Sequence, residues 1–167
     1  AALLNALKDN ESYGRQAAAQ ALGNLGPKAV TEPVITTLLN ACKDSDSDVR
    51  QAAAQALGNL GQYATEAVIA ALLNALKDSN RHVRQAATQA LGNLGPKAAT
   101  EAVIEALLNA LKDKDSYSVR KAAAEALGSL GQYATEAVIA LLINTLKDSS
   151  SDVRRASAQA FGNLAQS

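Results

Sequence analysis

Val49-Arg50-Gln51-Ala52-Ala53-Ala54-Gln55-Ala56-Leu57-Gly58-Asn59-Leu60-Gly61 is the stretch that decides how this chain folds. Val49, Ala52, Ala53, Ala56, Leu57 and Leu60 recur at three- and four-residue intervals, so an α-helix gathers them on one side. Gln51, Ala54, Gln55 and Gly58 then point away from that side. Gly61 follows the last apolar position, where a left-handed C-cap is expected. Variants of the phrase begin at Gly14, Val83, Val119 and Val153. Their arginines, Arg15, Arg50, Arg84, Arg120 and Arg154, are spaced by 35, 34, 36 and 34 residues. Self-similarity at such a period is the signature of a repeat array.

A second phrase, Leu-Leu-Asn-Ala-Leu-Lys-Asp in its commonest form, ends at Asp9, Asp44, Asp78, Asp113 and Asp148. Each Asp precedes its Arg by six residues, except for seven between Asp113 and Arg120. Ahead of the Asp lies another helical face, as in Val68, Ile69, Leu72, Leu73 and Leu76. Thr65 and Glu66 supply the polar and acidic start such a helix favours. The unit is therefore a helix pair, and the chain holds about five, the first truncated. Approximate repeats are 1–26, 27–61, 62–95, 96–131 and 132–167. First helices are expected near Thr31–Lys43, Thr65–Lys77, Thr100–Lys112 and Thr135–Lys147. Second helices are expected near Ser12–Leu25, Asp48–Leu60, His82–Leu94, Ser118–Leu130 and Asp152–Leu164. Gly26, Gly95 and Gly131 repeat the capping signal, and Pro27 and Pro96 reinforce the stop. Links alternate between Gly-Pro-Lys and Gly-Gln-Tyr forms, so a longer period of about two units overlies the short one.

Composition agrees with this reading and narrows the function. Among 167 residues there are 37 alanines, no Trp or Met, four Tyr and one Phe. Small core residues demand closely spaced helices. Sixteen basic and sixteen acidic side chains cancel, so no global field draws in a polyanion or an anionic membrane. One cysteine excludes an internal disulfide framework. No apolar run is long enough for a transmembrane helix, and no secretory leader opens the sequence. The expected setting is the cytoplasm.

With its five recurrences, the pattern Leu-Leu-Asn-Ala-Leu-Lys-Asp-x5-Val-Arg-x-Ala-Ala-x-x-Ala-Leu-Gly-x-Leu-Gly resembles the short, phycobilisome-lyase-type HEAT repeat across essentially the whole chain. The resemblance implies an all-α fold: a right-handed α-solenoid whose first helices lie outside and whose second helices line a concave face. It also implies that the recurrent Asp and Arg bond between neighbouring repeats, a structural use of charges that could otherwise grip phosphates. It does not identify a ligand, because function resides in sites and not in the fold.

Catalytic chemistry finds little support. His82 is the only histidine, and metal sites or acid–base pairs built on histidine need company. Cys42 stands where other repeats have Leu76 and Leu111, so a buried thiol acting as a small hydrophobe is expected. Ser149, Ser150 and Ser151 have no base beside them. No cofactor and no metal are implied. Informative variation lies on the second helices and just before them. One row reads Gln16, Gln51, Gln85, Lys121, Arg155. Another reads Gln20, Gln55, Gln89, Glu125, Gln159, and a third Ala19, Ala54, Thr88, Ala124, Ala158. Glycines 23, 58, 92, 128 and 162 form a fourth, whose expected role is close packing against the adjacent helix. The loops ahead offer Tyr13, Asp48, His82, Tyr117 and Asp152, and Tyr beside amides is good contact chemistry.

The expected activity is non-enzymatic: a scaffold or recognition module meeting another protein through its concave face and adjoining loops. The partner-binding set is Tyr13, Gln16, Gln51, Gln55, His82, Gln85, Thr88, Gln89, Tyr117, Lys121, Glu125 and Arg155. Alternatives are a phycobiliprotein chromophore-lyase-type subunit, a nucleic-acid-binding HEAT-like protein, and the sensor part of a larger signalling ATPase. Nucleic acid is disfavoured because the rows are mostly Gln and Ala. Leu3, Leu4 and Leu7 at one end, and Phe161 and Leu164 at the other, suggest end-to-end self-association.

Overall fold

The computed structural model describes residues 2–26, 30–131 and 135–165. They form ten α-helices and no strand. α1 (Ala2–Ala6) and α2 (Ser12–Leu25) make the short first pair. α3 (Glu32–Ala41) and α4 (Ser47–Gly58) follow, then α5 (Glu66–Ala75) and α6 (Arg81–Asn93). α7 (Glu101–Ala110), α8 (Tyr117–Ser129), α9 (Glu136–Thr145) and α10 (Ser151–Leu164) complete the array.

Helix starts follow from their caps. Thr65, Thr100 and Thr135 accept N–H bonds from Val68, Val103 and Val138 through their hydroxyls, satisfying donors a helix leaves orphaned. Asp46, Asn80 and Ser116 do the same for the second helices. First helices stop about two residues before the expected Lys. There Lys43, Lys77, Lys112 and Lys147 donate to the carbonyls of Asn40, Asn74, Asn109 and Asn144, three residues back, so the last turn tightens.

The four link glycines do take positive φ, from 52° to 60°. At Gly26, however, ψ is −138°, outside the left-handed helical region expected for the cap and open essentially to glycine alone. Pro96 sits in a short 3₁₀ turn, Gly95–Ala98. Pro27 lies outside the described residues.

Each first helix buries one edge, as Val68 and Leu72 show, with Ile69 and Leu73 half-buried. Second helices bury far more, including Val49, Ala52, Ala53, Ala56 and Leu57, and Leu60 just past α4 is buried with them. They form the tight row α2, α4, α6, α8, α10. A Cβ added to Gly23, Gly58, Gly92 or Gly128 would come within 2.7–3.0 Å of Ala56, Ala90, Ala126 or Ala160 on the next second helix. The glycine row is thus a backbone-to-backbone seam. First helices touch one another more sparsely, and an array packed closer along one row bends toward that row. The second helices therefore line the inner side of the solenoid.

That packing corrects part of the sequence reading. Ala19, Ala54, Thr88 and Ala124 are completely buried, and only Ala158, on the last helix, is exposed. A helix inside a solenoid is flanked by its own partner and by second helices on both sides. Its buried arc is wider than that of a surface helix with one apolar stripe.

Candidate functional site

Charge is spent first on holding the repeats together. Arg15 donates through Nε and a terminal nitrogen to both oxygens of Asp44, at 2.8 and 2.9 Å. Arg50 meets Asp78 at 2.7 and 3.0 Å, Arg84 meets Asp113 at 2.9 and 3.4 Å, and Arg120 meets Asp148 at 2.7 and 2.9 Å. The other terminal nitrogen of each Arg donates to carbonyls of its own loop, such as Asp44 and Ser45 for Arg50. These bidentate pairs keep only 11–17% of their side-chain surface exposed. The bond from the facing Arg holds Asp44, Asp78 and Asp148 below the usual carboxylate range. Burial pushes Asp113 upward, but Arg84 and backbone donors outweigh it and leave it lowered. The inter-repeat use of these residues is what the resemblance implies, and it removes four arginines from any phosphate-binding role.

What the inner row leaves to solvent is a grid of amides. Gln16, Gln51 and Gln85 are half-exposed, while Gln20, Gln55 and Gln89, one turn later, are exposed. None of these six makes a side-chain hydrogen bond within the described residues, so their donors and acceptors are available. Toward the chain's end the grid becomes charged but self-neutralised. Lys121 approaches Glu125 at 3.7 Å, and Arg155 pairs with Asp152. Two shallow hollows open between these side chains. One, of about 350 Å³, lies between α6 and α8 beside Gln89, Asn93, Glu125 and Ser129. The other, of about 230 Å³, lies between α8 and α10 beside Lys121, Glu125, Arg155 and Gln159.

Tyr13, Asp48, His82, Tyr117 and Asp152, read from sequence as loop positions, instead lie in the first turns of α2, α4, α6, α8 and α10. Tyr13 is 80% exposed, and Tyr117 and His82 are also exposed along the same rim. Thr88 does not belong with them. It is fully buried, and its hydroxyl donates back to the Arg84 carbonyl at 2.7 Å. It stabilises helix packing and offers nothing to a partner. Cys42 is partly buried at the end of α3, and burial pushes its thiol up to about 12.

Two features escape the sequence reading. Asn59 donates to the carbonyl of Gly23 on the preceding second helix at 3.1 Å, and the Ser129 hydroxyl shares its one proton between the carbonyls of Ala126, at 2.7 Å, and Gly92, at 3.2 Å. They tie the glycine seam laterally, a role their place one residue after the glycine could have suggested. On the opposite side, a groove of about 950 Å³ opens among α3, α5 and α7, beside Leu39, Ala70, Leu73, Asn74, Ala106 and Asn109. Its walls come mostly from one recurrent helix phrase, and the one charged departure from it there is Glu105, which stands where α5 and α9 have Ala70 and Ala140. Among the described residues no group of three His, Cys, Asp or Glu is placed to hold a metal ion, and no helix is long and apolar enough to cross a membrane.

Tandem helix pairs, a single continuous core and a laterally bonded inner row define an α-solenoid. The HEAT-repeat profile matches residues 1–92, 35–127 and 69–162, and the chain belongs to that family. No curated protein matches it. Among solved structures it is similar to an engineered protein, with 26% identity, a TM-score of 0.79, and coverage of 98% of this chain and 78% of that one. It is similar to CpcE–CpcF of phycocyanin lyase from a Nostoc species, with 27% identity and a TM-score of 0.77, covering 99% of this chain and 64% of that one. A designed armadillo repeat protein in complex with the peptide (KR)4 shares the fold at 20% identity and a TM-score of 0.77, covering 97% and 80%.

Proposed function

We propose that the chain is a non-enzymatic, cytoplasmic recognition module that binds an extended segment of another protein along its inner row. The observation that carries this reading is the regular grid of unpartnered amides, Gln16, Gln51, Gln55, Gln85 and Gln89, on a rigid, laterally bonded scaffold. A primary amide offers a donor and an acceptor together, the complement of a peptide group. Because the grid is built on helices and not loops, little side-chain and backbone order must be gained on binding. Tyr13, His82 and Tyr117 extend the surface along one rim, and Lys121, Glu125 and Arg155 give its far end a distinct charge pattern. Phosphate binding gains no support, since Lys121 and Arg155 each have an acidic neighbour.

Selection from a random peptide display library tests the reading. Selected peptides should lose roughly tenfold or more in affinity on Gln55→Lys and Gln89→Lys, each bulky charge blocking a grid position. Ala70→Lys on the outer groove should leave them unaffected. Binders that respond only to Ala70→Lys, or a selection that yields none, would refute it. The likeness to phycocyanin lyase CpcE–CpcF supports a second reading, a lyase-type subunit. Visible absorbance acquired when the purified chain is mixed with a bilin would favour that reading over the first.

A further inference from the structure

Two departures of α8 from the repeated phrase fall on one place. Where the other second helices carry Gln20, Gln55, Gln89 and Gln159, α8 has Glu125, and where they carry Asn24, Asn59, Asn93 and Asn163 it has Ser129. Four residues apart on a helix, the two side chains are neighbours. Both line the hollow of about 350 Å³ between α6 and α8, with Gln89 and Asn93 on its other wall.

Each departure changes that hollow. Between α2 and α4, the amide of Asn59 fills the corresponding place and donates to the Gly23 carbonyl at 3.1 Å. The shorter Ser129 keeps a bond to the equivalent Gly92 carbonyl, at 3.2 Å, without the amide's bulk. Its proton is engaged there and by the Ala126 carbonyl, at 2.7 Å, so the hydroxyl oxygen has only lone pairs to offer a ligand. Gly92 leaves the floor without a side chain, its backbone close against Ala126. Glu125 supplies the only charge among the lining residues. Lys121 stands 3.7 Å from one Glu125 oxygen, longer than a hydrogen bond, and lines the neighbouring hollow instead of this one. Gln89 and Asn93 are exposed, and each adds an amide oxygen.

We propose that this hollow is a subsite for an arginine side chain of the bound protein segment, a specificity that rests on the inner-row reading and deepens it. Charge and donor count select the occupant. A guanidinium carries one positive charge and five N–H donors in a planar fork, and it meets one carboxylate, a hydroxyl restricted to accepting and two amide oxygens. Glu125 takes the fork bidentately, and Ser129 accepts one of the remaining N–H groups. An acidic side chain would face Glu125 with no cation lining the hollow. A lysine ammonium has three donors and no fork, so it satisfies fewer of these acceptors.

The test uses peptides selected on the unaltered chain from a random peptide display library, labelled with fluorescein and followed by fluorescence anisotropy. Weakening by Gln55→Lys, one repeat away from the hollow, identifies peptides that lie on the inner row. Those peptides should share an arginine, and replacing it with citrulline, which keeps the shape and loses the charge, should weaken binding roughly tenfold. On Glu125→Gln the arginine and citrulline forms should bind within about twofold of each other. Ser129→Asn, which refills the hollow, should weaken the arginine peptide by roughly fivefold or more. Both variants reinstate residues that the other second helices already carry, so the helix is kept. Inner-row peptides without a shared arginine, or a gap between arginine and citrulline that persists undiminished in Glu125→Gln, would overturn the subsite and leave the inner-row reading standing. A library that yields no peptide sensitive to Gln55→Lys would overturn both.

Discussion

The same substitution should have opposite signs at Gly58 and Gly162. Both residues occupy the same place in the repeat, near the C-terminal end of a second helix. Alanine in place of glycine gains about 0.5 kcal/mol in such a frayed position, half of the interior value. At Gly162 nothing opposes that gain, because the new Cβ meets no atom within 4 Å. At Gly58 the Cβ would lie 2.7 Å from both Cα and Cβ of Ala90, while an ordinary carbon contact is about 3.5–4.0 Å. Backbone is the obstacle, so α4 and α6 must separate by about 1 Å. That movement strains the Arg50–Asp78 bonds as well, and overpacking of this kind costs roughly 1–3 kcal/mol. Net, Gly58→Ala should destabilise by about 1–2 kcal/mol and Gly162→Ala should stabilise by about 0.5 kcal/mol. Urea unfolding followed by circular dichroism measures both, at low micromolar concentration so that single chains are compared. A Gly58→Ala protein as stable as the parent would refute the seam, because the two second helices would then have room that the geometry denies them.

Asp78→Asn removes the charge from a partly buried pair while keeping its shape, and should cost roughly 1.5–3 kcal/mol. Arg154→Gln, at the same repeat position but exposed, should change single-chain stability by no more than about 0.5 kcal/mol; equal losses in urea unfolding would contradict the account. The carboxyls of Asp44, Asp78, Asp113 and Asp148 titrate lower in the folded chain than in the unfolded one. Their stabilisation is full above the unfolded carboxyl value, about 3.9, and is lost as pH falls through the lowered folded values. Urea midpoints should thus stay level from pH 7 to about pH 5 and then drop. The Cys42 thiol, pushed up to about 12 by burial, should alkylate far more slowly than a free thiol at pH 8 and at an ordinary rate in denaturant. Phe161 is 40% exposed where Leu57 and Leu91 are fully covered. Phe161→Lys should therefore reduce binding of an apolar dye while leaving helical content nearly unchanged.

The fold was legible because each level of the sequence repeats one message. Helical period, Thr starts, glycine ends and a nearly constant Asp-to-Arg spacing recur in at least four of the five units and specify the same helix pair. Legibility failed where geometry depends on a neighbour's approach. Thr88 reads as a surface position when its helix is taken alone, and only the second helices on either side bury it. Thr145 and Ser157 look like two unrelated departures from alanine. In space they share one buried hydrogen bond of 2.7 Å, each solving the other's desolvation. The candidate surface was legible in its rows of glutamine, since the period of the helix alone assigns them to one side. The outer groove was not, because it opens between neighbouring first helices, and the period of one helix does not say how far apart two of them stand.

Confining most strong electrostatics to the repeat contacts has a consequence for how the inner face can work. Four arginines and four aspartates saturate one another between repeats, and Lys121, Glu125, Asp152 and Arg155 are neighbours on the face itself. With no net charge to steer encounter, a partner arriving at this face gains no long-range acceleration. On the proposed reading, affinity must come from short-range hydrogen bonds and fit, and it should depend little on salt.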